Sequence, residues 1–96
     1  MITVIANNFV KEGCLDEFLS IAEVLVEETN KLDAGCIRYA MHQSLSDSLL
    51  VTCMEEWASQ DDMENHLKSA HFLKSAGEIK PYTAKPTTVS LYKKLF

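Results

Sequence analysis

The sequence predicts an α+β domain whose elements run β, α, β, β, α, β. Three observations carry that expectation: stretches with apolar residues at helical spacing, extended stretches that alternate or are rich in β-branched and aromatic residues, and short polar links between them. The chain has 96 residues, 47% hydrophobic and 24% charged, which is the balance of one globular domain spanning residues 1–96.

Ile2 to Val10 is largely apolar in both of its alternating sets, Ile2, Val4, Ala6, Asn8 against Thr3, Ile5, Asn7, Phe9. That pattern predicts a strand covered on both faces. Lys11, Glu12 and Gly13 form a turn. Leu15, Phe18, Leu19, Ala22, Leu25, Val26 and Thr29 then recur at helical spacing, opposite Asp16, Glu17, Ser20, Glu23, Glu27 and Lys31. A helix over about residues 14–33 follows, with acids in its first turn to complement the dipole and Gly35 past its end as a left-handed cap.

Cys36 to Ser44 and Leu49 to Trp57 read as a hairpin joined by Leu45, Ser46, Asp47 and Ser48. Ser59 with Asp62 three residues on resembles a capping box, and it opens a helix over about residues 59–68 with Met63, His66, Leu67 and Ala70 on one stripe. Ser69 caps a further turn or two carrying Phe72, Leu73, Ala76 and Ile79, which Pro81 ends. Thr87 to Leu95 is the last strand.

Right-handed crossovers place both helices on one face of an antiparallel sheet, the ferredoxin-like arrangement. The other face has no cover within the chain, and strands apolar on both sides would leave a large apolar patch. A domain this short also has a thin core. The expected assembly is a homodimer through the bare face, a dimeric α+β barrel.

A net charge of −5 and the absence of any basic run longer than Lys93, Lys94 exclude nucleic acid as a partner. Apolar runs are too short to span a membrane, and the N-terminus lacks the marks of a signal peptide, so the expected location is cytoplasmic. Cys14, Cys36 and Cys53 are odd in number and without C-x-x-C spacing, which points to free thiols. No H-E-x-x-H, facial triad or Ser/His/Asp pattern is present, so neither metal nor prosthetic group is expected.

One stretch is less generic. Glu55, Glu56, Trp57, Ala58, Ser59, followed by His66, Leu67, Lys68, Ser69, Ala70, His71, Phe72, resembles the close of strand 3 and the opening of helix 2 in the antibiotic biosynthesis monooxygenase family. Asp33, Ala34, Gly35, Cys36 resembles the family's turn before strand 2, with Ala34 where a proline is usual. The resemblance implies a small-molecule pocket shared by oxygenases of quinols and anthrone-like aromatics, haem-degrading enzymes and an isomerase of a phosphorylated sugar. In the haem-degrading relatives a histidine binds iron where this chain has Ala76, so haem degradation is not expected.

The function so implied is cofactor-independent oxygenation of a small quinol or polycyclic phenol by molecular oxygen. Such chemistry needs a base, an apolar pocket and donors for the anion. His66, turned toward the sheet by its spacing from Met63 and Ala70, is the first base candidate, with a core histidine as the competing reading. His71, at the start of the last helical turns, is the second.

Trp57, Asn8, Tyr39 and Glu55 are the candidate substrate-binding residues: an N–H donor, a polar residue at an apolar parity, a phenol and a carboxylate. Glu55 could instead pair with Arg38 on the neighbouring strand. Tyr92 is a weaker donor candidate, and His42 alternates away from Tyr39. Two other functions fit the same residues, an isomerase or tautomerase using the same base without oxygen, and a non-catalytic module that only holds a metabolite.

Overall fold

A computed structural model describes all 96 residues. Strand β1 is Ile2–Val10, helix α1 Leu15–Leu32, β2 Cys36–Gln43, β3 Leu50–Trp57, α2 Gln60–Leu67, α3 Ala70–Ile79, and β4 Thr83–Lys93, with a 3₁₀ turn at Lys80–Tyr82. The sheet has the order β2-β3-β1-β4, and every pairing is antiparallel. This is the expected ferredoxin-like α+β fold, with the helices on one face.

Two elements differ from the sequence reading. The turns expected after Ser69 are a full helix of 10 residues, so the order is βαββααβ. Ser69 starts it by accepting the Phe72 N–H at 3.2 Å, as Ser59 starts α2 by accepting the Asp62 N–H at 3.1 Å. Two capping serines so close together divide what the apolar stripe reads as one helix with an appendage.

The last strand begins at Thr83, four residues before the expected start at Thr87, and contains Pro86. Proline lacks the ladder donor, which is why the pattern stops there on paper. β4 is an edge strand, and its register against β1 slips between Asn7 and Phe9, so Pro86 sits in a bulge where no ladder bond is required of it.

Val4, Val10, Val51, Cys53, Tyr39 and Trp57 point from the sheet toward the helices and are buried against Phe18, Ala22, Leu25 and Met63. The spacing Phe18, Ala22, Leu25, Thr29 puts one stripe of α1 on this layer. On the opposite face Ile5, Phe9, Leu50 and Met54 are only partly buried, with no helix over them. Arg38 faces that side too, opposite Glu56 and beside His42, so it does not pair with Glu55 as it could have done.

Gly35 has φ +74° at the turn after α1, and its carbonyl accepts the Ala58 N–H at 2.8 Å. This bond ties the end of α1 to the link between β3 and α2. Asp33 lies against the end of α2 and the start of α3, where it meets His66 and His71.

Candidate active site

The layer between sheet and helices is not filled along its whole length. A cavity of about 640 Å³ lies there, with walls from all four strands and all three helices. That size is within the range of small-molecule sites, and the walls are mainly apolar.

At one end of this cavity stands His66. Its ring is 2% exposed and enclosed by aromatic neighbours: Trp57 with centroids 4.9 Å apart, Phe72 at 4.9 Å in an edge contact, and Tyr39 at 5.1 Å. Nδ1 lies 2.5 Å from Oδ2 of Asp33, and Nε2 of His71 lies 3.0 Å from the same carboxylate. Asp33 is the residue that ends α1, and its own N–H returns to the Thr29 carbonyl. The carboxylate is therefore held by helix geometry on one side and by two imidazoles on the other.

A carboxylate that accepts a bond from Nδ1 fixes the proton there and leaves Nε2 as the lone-pair nitrogen. His66 Nε2 has no partner and is fully buried. Burial holds the His66 pKa below its ordinary value, opposed in part by the bond and charge of Asp33, with His71 lowering it further. The ring is thus a neutral imidazole with an unoccupied acceptor.

The ligand-type atoms of Asp33, His66 and His71 all fall within 4.8 Å of one another. Two ligands of one zinc ion at about 2.0–2.1 Å would stand about 3.4 Å apart at the tetrahedral angle. The 2.5 Å contact between Asp33 and His66 is a hydrogen bond, too short for two atoms sharing an ion.

The remaining predicted residues divide. Tyr39 and Glu55 line the cavity. Trp57 departs from the role expected of it: it is completely buried, is not a cavity wall, and donates its Nε1–H to Glu55 Oε1 at 2.9 Å. It positions Glu55 and packs on His66. Burial raises the Glu55 pKa, with the bonds from Trp57 and Cys53 working against the rise, and burial also pushes the Tyr39 phenol well above its usual range.

Asn8 borders the cavity, but its side chain is occupied. Nδ2 donates to the Val51 carbonyl at 3.1 Å, and Oδ1 accepts from the Thr87 hydroxyl at 2.9 Å, which pins β4 beside its bulge. Tyr92 is exposed on β4 opposite Thr3, on the uncovered face. His42 bonds the Ala40 carbonyl, away from the cavity.

Sequence reasoning missed Asp33. The D-A-G-C stretch signals a turn, and its only pointer to the site is an acid at the end of a helix whose next turn-forming residue is glycine.

The profile of the antibiotic biosynthesis monooxygenase family matches residues 1–77. A conserved protein of Methanosarcina mazei Go1 is 33% identical, with TM-score 0.94 over 98% of this chain and 92% of that one. A protein whose structure is titled an antibiotic biosynthesis monooxygenase is 26% identical, with TM-score 0.92 over 99% of each chain. A third, from Nitrosomonas europaea and provisionally named for the same activity, is 22% identical with TM-score 0.95 over 100% of both chains, a likeness of fold. None of the curated proteins matches. With the family profile covering most of its length and the 33% identical structure nearly all of it, the chain belongs to the antibiotic biosynthesis monooxygenase family.

Proposed function

We propose that this protein is a cofactor-independent monooxygenase of a small quinol or polycyclic phenol, with His66 as the general base. The observation that carries the reading is the Asp33–His66 pair: a neutral, oriented imidazole with an unpartnered Nε2 at the edge of an apolar cavity. Family membership supports the reaction type. Removal of a phenol or quinol proton leaves an anion electron-rich enough to reduce oxygen directly, so the protein needs only to bind, deprotonate and shield. The imidazolium formed on Nε2 is stabilised by Asp33, whose carboxylate it already faces through Nδ1.

Nε2 is reached only when a wall side chain moves. Tyr39 and Trp57 are buried on strands, whereas Phe72 is partly exposed on α3 and lines the cavity. Substrate entry therefore displaces Phe72. Glu55, held by Trp57, and Tyr39, a phenol that stays protonated, are polar cavity walls that can orient the substrate. The bare sheet face with Ile5, Phe9 and Met54 completes the reading as the surface of a homodimer.

Oxygen uptake by chelator-treated protein, with quinols and anthrones as substrates and catalase present, is the test. Turnover is expected, with His66→Ala lowering the rate about a hundredfold or more and His71→Ala lowering it less. An inert panel, or full activity in His66→Ala, would remove the assignment. Rearrangement of a substrate without oxygen uptake would favour the isomerase reading, which uses the same base.

A further inference from the structure

Helix α3 carries one polar residue on the face it turns to the cavity. Phe72, Ser75, Ala76 and Ile79 recur at helical spacing, and all four are cavity walls. Phe72 packs with the cluster around Tyr39 and Trp57, and Ile79 with the cluster of Val10, Phe18 and Val51. Ser75 therefore stands between the two apolar clusters, one helical turn from Phe72, about 4.5 Å along the axis.

Ser75 is only 5% exposed. A serine inside a helix ordinarily returns its hydroxyl to the carbonyl four residues back, as Ser20 of α1 does to Asp16 at 3.0 Å. The Ser75 hydroxyl makes neither that bond nor any other within the protein. Other polar walls are committed to the fold: Asn8 is bonded to Val51 and Thr87, and Thr83 to the Lys80 carbonyl. A buried hydroxyl without a partner costs stability, and an alanine such as Ala76 beside it would fill a helix position at higher propensity. What the hydroxyl at Ser75 serves is therefore a molecule in the cavity and not the packing of α3.

We propose that Ser75 binds a second oxygen of the substrate, so that the cavity selects an aromatic molecule with hydroxyls on opposite sides of its ring, a quinol, over a phenol with only one. The first hydroxyl meets His66 Nε2, the other buried polar atom of the site without a partner. The second meets the Ser75 hydroxyl, which can donate to it or accept from it. Phe72 touches His66 with ring centroids 4.9 Å apart, and Ser75 follows one turn later, so the two groups are separated by the width of an aromatic nucleus and not by a long chain. Which hydroxyl reacts rests on the reading of His66 as the base; the binding of the second one at Ser75 does not.

The test is calorimetric binding, under argon, of naphthalene-1,4-diol and of 4-methyl-1-naphthol, in which a methyl group of similar size replaces the second hydroxyl. The wild-type protein should bind the diol about threefold to tenfold tighter, the effect of one neutral hydrogen bond. Ser75→Ala should bind both probes with equal affinity. Thermal unfolding of the same variant without ligand separates a binding role from a structural one. It should melt no lower than the wild type, because the alanine has the better helix propensity and leaves no hydroxyl unpaired.

Equal binding of the two probes by the wild type, a preference that survives in Ser75→Ala, a variant that melts several degrees lower, or failure of both probes to bind would overturn the proposal. A Ser75-dependent preference without oxygen uptake in air would sink the oxygenase reading alone. Oxygen uptake that neither the second hydroxyl nor Ser75→Ala alters would sink this one alone.

Discussion

Asp33 Oδ2 meets His66 Nδ1 at 2.5 Å across 33 residues of sequence, and the contact gives the ring a direction as well as an anchor. One nitrogen is committed to a carboxylate, the other is buried without a partner. A core histidine that served packing alone would be expected to satisfy both. The unsatisfied atom carries a desolvation cost of about 1–3 kcal/mol, which a substrate proton or hydroxyl can relieve.

Asp33→Asn tests the pairing directly. An amide in place of the carboxylate can offer a donor to Nδ1, which would move the ring proton to Nε2, and in either orientation it removes the negative charge that stabilises the imidazolium. The expected outcome is a loss of about a hundredfold or more in kcat with folding retained. Steady-state rates and circular dichroism decide it; unchanged kcat would show that the ring's direction does not matter.

The pH profile should carry the signature of the same ring. Because burial places the folded pKa of His66 below its ordinary 6.5, the rate should fall on the acid side through one ionisation below that value. Asp33 opposes the depression, so its removal should move the acid limb to still lower pH. Stability follows the same sign. The contribution from keeping His66 neutral is complete above 6.5 and is lost as pH falls through the folded value. An acid limb above 6.5, or one that moves upward in Asp33→Asn, would contradict this account.

Much of this was legible in the sequence, and the reasons are local. Apolar spacing along α1, alternation along β3 and the caps at Ser59 and Ser69 depend on neighbours a few residues apart, and each appears where the pattern puts it. The inward turn of His66 follows from the stripe it shares with Met63. Asp33 could not be found that way, because its role depends on a turn that folds it onto a helix elsewhere in the chain. Trp57 illustrates the converse. Strand parity places it on the right face beside Glu55, but parity does not say that its N–H meets Glu55 and that its ring stops short of the cavity. Pro86 hid the start of β4, since bulge tolerance is a property of the edge position and not of the residue.

Gly35→Ala should be more damaging than Gly13→Ala, although both residues have positive φ, +74° and +83°. Any L residue there costs about 1–2 kcal/mol in backbone strain. At Gly13 a Cβ would meet nothing, whereas at Gly35 it would run into the side chain of Asp62, whose N–H is capped by Ser59. The expected losses are about 1 kcal/mol at Gly13 and about 2–3 kcal/mol at Gly35, by denaturant unfolding. Since Gly35 is two residues from Asp33, its variant should also lose activity at temperatures where it remains folded. Equal losses at the two glycines would show that the Asp62 contact is readily relieved.

Glu55→Gln should raise stability at alkaline pH and do little or the reverse in acid. Glu55 is 7% exposed, and its carboxyl accepts the Trp57 indole N–H at Oε1, a bond that a glutamine oxygen can keep. Desolvation raises the folded pKa above 4.5, so the folded state binds the proton more tightly than the unfolded chain does. The favourable contribution of the protonated acid is therefore complete below 4.5 and is lost as pH rises through the folded value. At pH 8 the wild-type fold carries the cost of a buried carboxylate, and the amide does not. The new amide group needs acceptors of its own, which limits the gain, so the expected rise in Tm at pH 8 is a few degrees, the scale of about 1 kcal/mol in a domain of this size. At pH 4, where both side chains are neutral, the advantage should vanish. Thermal unfolding of both proteins at the two pH values is sufficient, and a Tm difference that does not change with pH would mean that the charge on Glu55 is not what the fold has to bear.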